Sequence, residues 1–418
     1  MPAHTARTAV IAAVAVLATA ALTAPAVAVS PTSTDSPTAG KAPALTGSPA
    51  TEESPAEAQS PSAAGPSPGR GHERTQRAIE AAVRDGVPGV VARARDRDGT
   101  WNGTAGVGDL RTGRERLPQD RYRVASITKT FVATVVLQLE AEGRLDLDDS
   151  VERVLPGVLR GNGHDGRRVT LRRLLNHTSG VYNYTSDPGL QEKFFGSGFF
   201  EHRYDSWKPE QLVAVAMKHR PDFAPGTGWN YSNTNYVLAG MVIEKVTGRS
   251  YGSEIERRFL RPLKLRSTSV PGNDPRVPRP ASRAYSKLSA DPNARTHDVT
   301  ELNPSAAWAA GEMISDSADL HRFYRELLKG RLLPPEQMRE MTTTVRPDPQ
   351  RPEVGYGLGL VRIRLSCGTE VWGHSGGIHG SASEALMTRD TGHALTLNFN
   401  GDWAGDSSAV VEAEFCGR

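Results

Sequence analysis

The sequence predicts an α/β fold in which an antiparallel sheet flanked by helices is joined to a helical lobe. Two observations carry this. Strand patterns stand at both ends of the part that reads as folded, at 87–94 and 101–108 near its start and at 356–365, 370–373, 381–388 and 393–400 near its end. Helical patterns fill the space between them. Strands at both ends with helices between imply an α/β sandwich plus a helical lobe, and an active site is expected where the lobes meet.

The chain has 418 residues, and its first seventy or so do not read as a packed unit. Residues 1–28 read as an export signal: His4 and Arg7 give a weakly basic start, 9–22 is continuously apolar, and Ala26-Val27-Ala28 fits small-x-small cleavage. Pro25 and the short, Ala-rich apolar core favour cleavage over a membrane anchor. Residues 29–71 are Pro, Ser, Ala, Thr, Gly and Glu with almost nothing large to bury, and read as a disordered linker. One catalytic domain is expected over 72–418, secreted and extracellular or wall-associated, without a stable membrane anchor and monomeric.

The net charge of +3 and the lack of a dense Lys/Arg block argue against a nucleic-acid partner. Cys367 and Cys416 are the only cysteines, and an even pair in an exported chain points to a disulfide whose loop is worth about 4 kcal/mol. Neither has a second Cys or a His at metal-ligand spacing, so neither a metal nor a cofactor is expected.

In chain order, 75–84 is helical, and the first two strands join through Arg97-Asp98-Gly99 as a hairpin. Phe131, Val132, Val135, Val136 and Leu139 recur at helical spacing in a run that Gly143 ends. Shorter helical pieces follow at 145–155 and 169–176, then a turn, His177-Thr178-Ser179-Gly180, whose histidine reads as structural. Between Tyr182 and Tyr204 the chain is rich in Gly and aromatics (Phe194, Phe195, Phe199, Phe200), which fits a loop packed over something or a plain surface excursion. Helices are expected at 209–218, 237–245, 251–263, 316–328, 335–341 and 407–415.

The chemistry begins at Val124-Ala125-Ser126-Ile127-Thr128-Lys129. Ser126 opens the helix and Lys129 lies one turn on, on the same face. A serine hydroxyl needs an adjacent base, and a lysine in a water-poor site sheds its proton well below its usual pKa of about 10.4. The helix start also favours an oxyanion beside Ser126. Ser126 alone fits a helix cap as well, but Lys129 is the only lysine with a serine three residues before it.

Two later stretches add to it. Tyr231-Ser232-Asn233 puts a phenol, a hydroxyl and an amide on a polar turn before an apolar helix, which also fits a capped turn. Trp372-Gly373-His374-Ser375-Gly376-Gly377 puts a His and a hydroxyl on a strand whose glycines admit a substrate backbone. Gly373 to Gly377 also fits G-x-S-x-G with Ser375 as nucleophile, but strand-like residues follow where that elbow needs a helix, and too little chain remains for its acid and histidine.

In this order the three motifs resemble the penicillin-recognising serine hydrolases, and most closely the secreted D-alanyl-D-alanine carboxypeptidases related to class C β-lactamases. The resemblance covers roughly 72–418. It implies a β-lactamase-like serine hydrolase fold, a peptidoglycan stem peptide as substrate and β-lactams as inhibitors. Ser126 would attack the penultimate D-Ala carbonyl and form an acyl-enzyme. Tyr231 and Lys129 would take and return the proton, the Lys129 cation lowering the Tyr231 pKa, with the formal base left open. Asn233 would bind the substrate amide, and the N–H groups of Ser126 and Gly377 would form the oxyanion hole.

At the third motif His374-Ser375-Gly376 stands where most relatives carry Lys-Thr-Gly, and Gly377 stands where the carboxypeptidase subgroup has Thr. His374, titrating near neutrality, would make carboxylate recognition weaken as pH rises. Relatives also hold the substrate carboxylate with an Arg on the preceding strand, here Arg362 or Arg364, and Trp308 resembles a cleft-wall aromatic. The same scaffold hosts esterases, D-amino-acid amidases, β-lactamases and silent binding proteins, which remain the alternatives.

Overall fold

The computed structural model describes residues 71–291 and 293–417. The export signal and nearly all of the linker expected above lie outside the described residues.

Strands β1 (Gly89–Asp96), β2 (Gly99–Asp109) and β3 (Arg114–Glu115) come from the start of the domain, and β4 (Val354–Tyr356), β5 (Val361–Arg364), β6 (Glu370–Ile378), β7 (Ser381–Thr388) and β8 (Ala394–Phe399) from its end. They form one eight-stranded sheet in the order β4-β5-β6-β7-β8-β1-β2-β3, with every pair antiparallel. The two ends of the chain meet at β1 and β8, where Val90 pairs with Phe399 and Arg95 with Ala394.

Both faces of the sheet are covered, so alternate residues of one strand enter different cores. Val90, Ala92 and Ala94 of β1 join Leu395, Leu397 and Phe399 of β8 under helices α1 (Glu73–Arg84) and α8 (Ser407–Cys416). Val91, Ala385 and Met387 face the helical lobe. The Cys367–Cys416 disulfide, with Cα atoms 5.6 Å apart, ties the β5–β6 turn to the end of α8.

The lobe is built round α2 (Thr128–Ala141) and includes α3 (Pro188–Phe195), α4 (Phe199–His202), α5 (Pro209–Ala216) and α6 (Asn233–Thr247), while α7 (Ser317–Leu328) lies between it and the sheet. The sequence gives α2 an apolar stripe, but every residue from Thr128 to Leu137 is buried, because α6, the 308–310 turn and the helices at 251–255 and 335–342 enclose it together. Phe131 stacks on Phe323 of α7 with ring centroids 3.6 Å apart.

Three segments differ from expectation. Only Val151–Val154 of 145–155 is α-helical, since the Asp146 and Asp149 carboxylates accept from the Asp148 and Asp146 amides and hold a turn until Ser150 caps the helix. The strand expected over 356–365 divides into β4 and β5, because Leu358 N–H leaves the ladder for Met341 C=O and Gly359 takes φ +68°. The strand expected at 370–373 runs on to Ile378, carrying the whole third motif.

Among the described residues no helix is long and apolar enough to cross a membrane.

Candidate active site

A single 3₁₀ turn, Ala125–Ile127, delivers Ser126 to the start of α2. Ala125 takes φ +48°, a left-handed conformation that costs a non-glycine residue about 1–2 kcal/mol. The surroundings impose it: Tyr122–Arg123 pairs with Ile314–Ser315, Val124 N–H donates to Met313 C=O, and the Thr128 hydroxyl accepts Met313 N–H.

Lys129 is wholly buried, and its Nζ lies 2.9 Å from Ser126 Oγ, 2.8 Å from Asn233 Oδ1 and 2.7 Å from Ala310 C=O. Among the described residues it has no carboxylate partner, and burial holds its pKa well below the usual lysine value. Two of its three neighbours are carbonyl oxygens, which only accept. A neutral amine donates its two hydrogens to them and turns its lone pair to the Ser126 hydroxyl, the arrangement that proton removal from a nucleophile requires.

Tyr231 and Asn233 arrive where α6 begins, with Ser232 at the N-cap and Asn233 as the first helical residue. Asn233 is fixed from several sides: its N–H donates to Asn183 Oδ1 at 3.0 Å, its Nδ2 to Thr185 Oγ1 at 3.1 Å, and its Oδ1 accepts from Lys129. The Tyr231 ring lies under Lys129, with Nζ 4.8 Å from its centroid. Its buried hydroxyl has no completed hydrogen bond, and the side chain that faces it is Ser126. The expected lowering of the Tyr231 pKa by the Lys129 cation is not met: burial raises it, and the lysine lies over the ring face rather than at the oxygen. Tyr231 is a protonated donor here.

The third motif lies along β6. Strand β5 leaves β6 after the Val361–Gly373 pair, so from His374 to Ile378 the strand is paired on one side, by β7. The stretch of β6 beyond β5 passes the nucleophile turn at close range: a Cβ on Gly376 would stand 2.1 Å from Val124 C=O. Gly377 follows it, at the position expected to supply an oxyanion N–H.

His374 corrects the sequence reading. It is 2% exposed, and burial above all pushes its pKa down to about 3. It is neutral from pH 5 to 9, and no carboxylate recognition titrates with it in that range. Its ring belongs to a chain of hydrogen bonds. Ser232 N–H and Asn235 Nδ2 both lie within 3.2 Å of His177 Nδ1, which makes that nitrogen an acceptor. His177 Nε2–H therefore donates to the Tyr356 hydroxyl, the hydroxyl to His374 Nε2 at 2.9 Å, and His374 Nδ1–H to Ser375 C=O at 2.5 Å. The second and third motifs are joined through two neutral imidazoles. In ¹⁵N NMR, both rings are expected to show neutral-tautomer shifts at pH 7, with the proton of His374 on Nδ1, and His374 to keep them down to pH 5; an imidazolium signal from either at pH 7 would contradict this ordering.

Sequence reasoning left His177 as structural and missed Tyr356, Asn183 and Thr185. A histidine with φ +63° is the one local peculiarity among them, and a sequence does not display it.

Two expected residues lie elsewhere. Arg362 sits on β5 opposite Trp372, its guanidinium 3.9 Å from Glu370, and Arg364 is exposed opposite Glu370. Trp308 is not a wall of this site. Its indole packs on Gly240 of α6 and edge-on to Tyr251, because φ +39° at Trp308 turns it back into the lobe. Ser375 is mid-strand and buried, with no helix after it, which removes the elbow arrangement.

The aromatic excursion at 182–204 does pack over something. It forms α3 and α4, and Phe195 and Phe199 close on His379, each with ring centroids 4.8 Å from it, just past the third motif.

A serine held by a buried, carboxylate-free lysine, beside a protonated tyrosine and a glycine-bearing strand edge, defines a serine hydrolase of the acyl-transfer type. The chain belongs to the Beta-lactamase family, whose model matches residues 75–411. It is 66% identical to a D-stereospecific amidohydrolase from Streptomyces sp., over 83% of this chain and 99% of that one, with a TM-score of 0.80. It is 29% identical to D-amino acid amidase from Ochrobactrum anthropi SV3 solved with D-phenylalanine, over 83% of this chain and 99% of that one, with a TM-score of 0.71. Penicillin-binding protein 4* of Bacillus subtilis (strain 168) is 28% identical over 74% of this chain and 66% of its own length. The chain spans from two fifths to two thirds of the length of such curated relatives.

Proposed function

We propose that this protein is a D-stereospecific amidohydrolase that cleaves D-aminoacyl amides and short peptides through a Ser126 acyl-enzyme. The observation that carries the reading is the neutrality of the third motif. A carboxypeptidase must hold a free terminal carboxylate, for which a cation is the effective partner. Here His374 is uncharged, and among the described residues the cation-forming side chain that hydrogen-bonds Ser126 is Lys129. A carboxamide leaving group needs no such cation. Likeness to the Streptomyces amidohydrolase and the Ochrobactrum amidase supports the same choice.

In this mechanism Ser126 Oγ bonds to the amide carbon while Lys129 takes its proton. The oxyanion is held by the N–H groups of Ser126 and Gly377. Collapse breaks the C–N bond, and Tyr231, whose hydroxyl faces Ser126, protonates the departing nitrogen. Asn233 orients the substrate amide. Water then attacks the Ser126 ester and gives its proton to the Tyr231 oxygen, while Lys129 returns its proton to Ser126 Oγ, releasing the acid and restoring all three groups. Export directed by residues 1–28 belongs to the same proposal.

The test compares hydrolysis of D-phenylalanine amide, L-phenylalanine amide and an N-acyl-D-alanyl-D-alanine. The D-amide is expected to lead both others in kcat/KM by about 100-fold or more, the scale that mismatched polar groups in a binding site impose. A preference for the acyl dipeptide would restore the carboxypeptidase reading. Rapid destruction of penicillin, with neither amide nor dipeptide cleaved, would point to a β-lactamase.

A further inference from the structure

The 3₁₀ turn Tyr184–Ser186 runs beside the start of α6 and is tied to it. Tyr184 N–H donates to Thr234 Oγ1 at 3.0 Å, and the Thr234 hydroxyl donates to Tyr182 C=O at 2.7 Å. Asn183 caps this turn, its Oδ1 accepting the Thr185 N–H at 3.4 Å and the Asn233 N–H at 3.0 Å. Two backbone N–H groups can only donate, so the atom they share is the oxygen of the Asn183 amide and not its nitrogen. That fixes a hydrogen-bond polarity which runs on to the nucleophile.

The Thr185 hydroxyl lies 3.0 Å from the same oxygen, and its single hydrogen is spent there. Towards Asn233, 3.1 Å away, Thr185 Oγ1 can then only accept. The Asn233 atom that faces it is therefore Nδ2, which turns Oδ1 to Lys129 Nζ, 2.8 Å away. Lys129 meets a second acceptor in Ala310 C=O, so a neutral amine has both hydrogens engaged and presents its lone pair to Ser126. With the Asn233 amide rotated by half a turn, its Nδ2–H would donate into that lone pair, and Ser126 would lose its proton acceptor. We propose that Thr185 is a positioning residue that sets the direction of the Asn233 amide and, through it, holds the Lys129 lone pair on Ser126. The inference rests on Lys129 as the base of the proposed function.

The experiment measures kcat/KM for D-phenylalanine amide in the full chain and in Thr185→Val, Thr185→Ser and Lys129→Met. Valine keeps the shape of threonine without the hydroxyl, which frees the Asn233 amide to turn. The rate of Thr185→Val is expected to fall at least about tenfold, part of the ~10²–10⁴ that a positioned base supplies. Serine keeps the hydroxyl and is expected to stay within about threefold of wild type. With Lys129→Met inactive, a wild-type rate in Thr185→Val, or an equal loss in Thr185→Ser, would overturn this inference and leave the base assignment standing. A Lys129→Met rate within about tenfold of wild type would overturn both. A second readout needs no variant and no substrate: in NMR of the wild-type protein, the Asn233 side-chain NH₂ is expected to show a stronger nuclear Overhauser effect to Thr185 Hβ than to Lys129 Hε. The reverse order would mean that the amide faces the other way, and it too would overturn the proposal.

Discussion

Lys129→Met is expected to lower kcat/KM for the amide substrate by about 1,000-fold or more while the protein stays folded. The argument is geometric. Nζ lies within 2.9 Å of Ser126 Oγ, Asn233 Oδ1 and Ala310 C=O, and no other basic group hydrogen-bonds Ser126 among the described residues. Methionine fills nearly the same volume without branching, so the surrounding core is retained. What disappears is the base, together with the donor for two carbonyl oxygens. Leaving those acceptors unpaired costs about 1–3 kcal/mol each, which a thermal unfolding midpoint will register separately from the rate. A variant that keeps its rate within tenfold of wild type would move the base to another group and contradict the assignment to Lys129.

Gly376→Ala is expected to reduce activity by about 100-fold through position alone, since Ala brings no new chemistry. Its Cβ would stand 2.1 Å from Val124 C=O and 3.2 Å from Ala125 Cβ, so either β6 or the nucleophile turn must give way. Ala125, already at φ +48°, leaves that turn little freedom. Gly373→Ala is the control. Its Cβ would meet Ala385 C=O at 1.8 Å, inside the β6–β7 pair and at the end of the β5 ladder, so its damage falls on the sheet. Full activity in Gly376→Ala would mean that the close approach of β6 does not define the oxyanion site.

What was legible in the sequence follows from how locally each feature is encoded. Ser126 and Lys129 are three residues apart on one helix, so their partnership needs no tertiary information. The strands at both ends were legible from their alternation, but that β1 pairs with β8 is tertiary information the pattern did not carry. Asn233 is different. It lies far along the chain from Lys129, and its place in the motif was readable only because the three motifs occur together in order.

His374 shows where sequence reading stops. A histidine's identity suggests titration near neutrality, but its pKa is pushed down by burial, against a hydrogen bond to Ser375 C=O, in surroundings that only folding assembles. Arg362 and Trp308 fail for another reason. One residue of strand register decides whether Arg362 faces Glu370 or a substrate, and one positive φ decides whether the indole of Trp308 enters the lobe or the cleft. The apolar periodicity of α2 was read correctly as helix, and it did not show that nearly every side is buried, because periodicity reports neighbours along the chain and not those that later surround it.

The most direct test of the central claim is the location of the covalent intermediate. The protein is mixed with a penicillin or with a D-phenylalanine ester, quenched in acid, digested and mapped by mass spectrometry, with Ser126→Ala treated in parallel. The acyl mass is expected on the peptide that contains Ser126 and is expected to be absent from the variant. An adduct on Ser375, or one that persists in Ser126→Ala, would contradict the account.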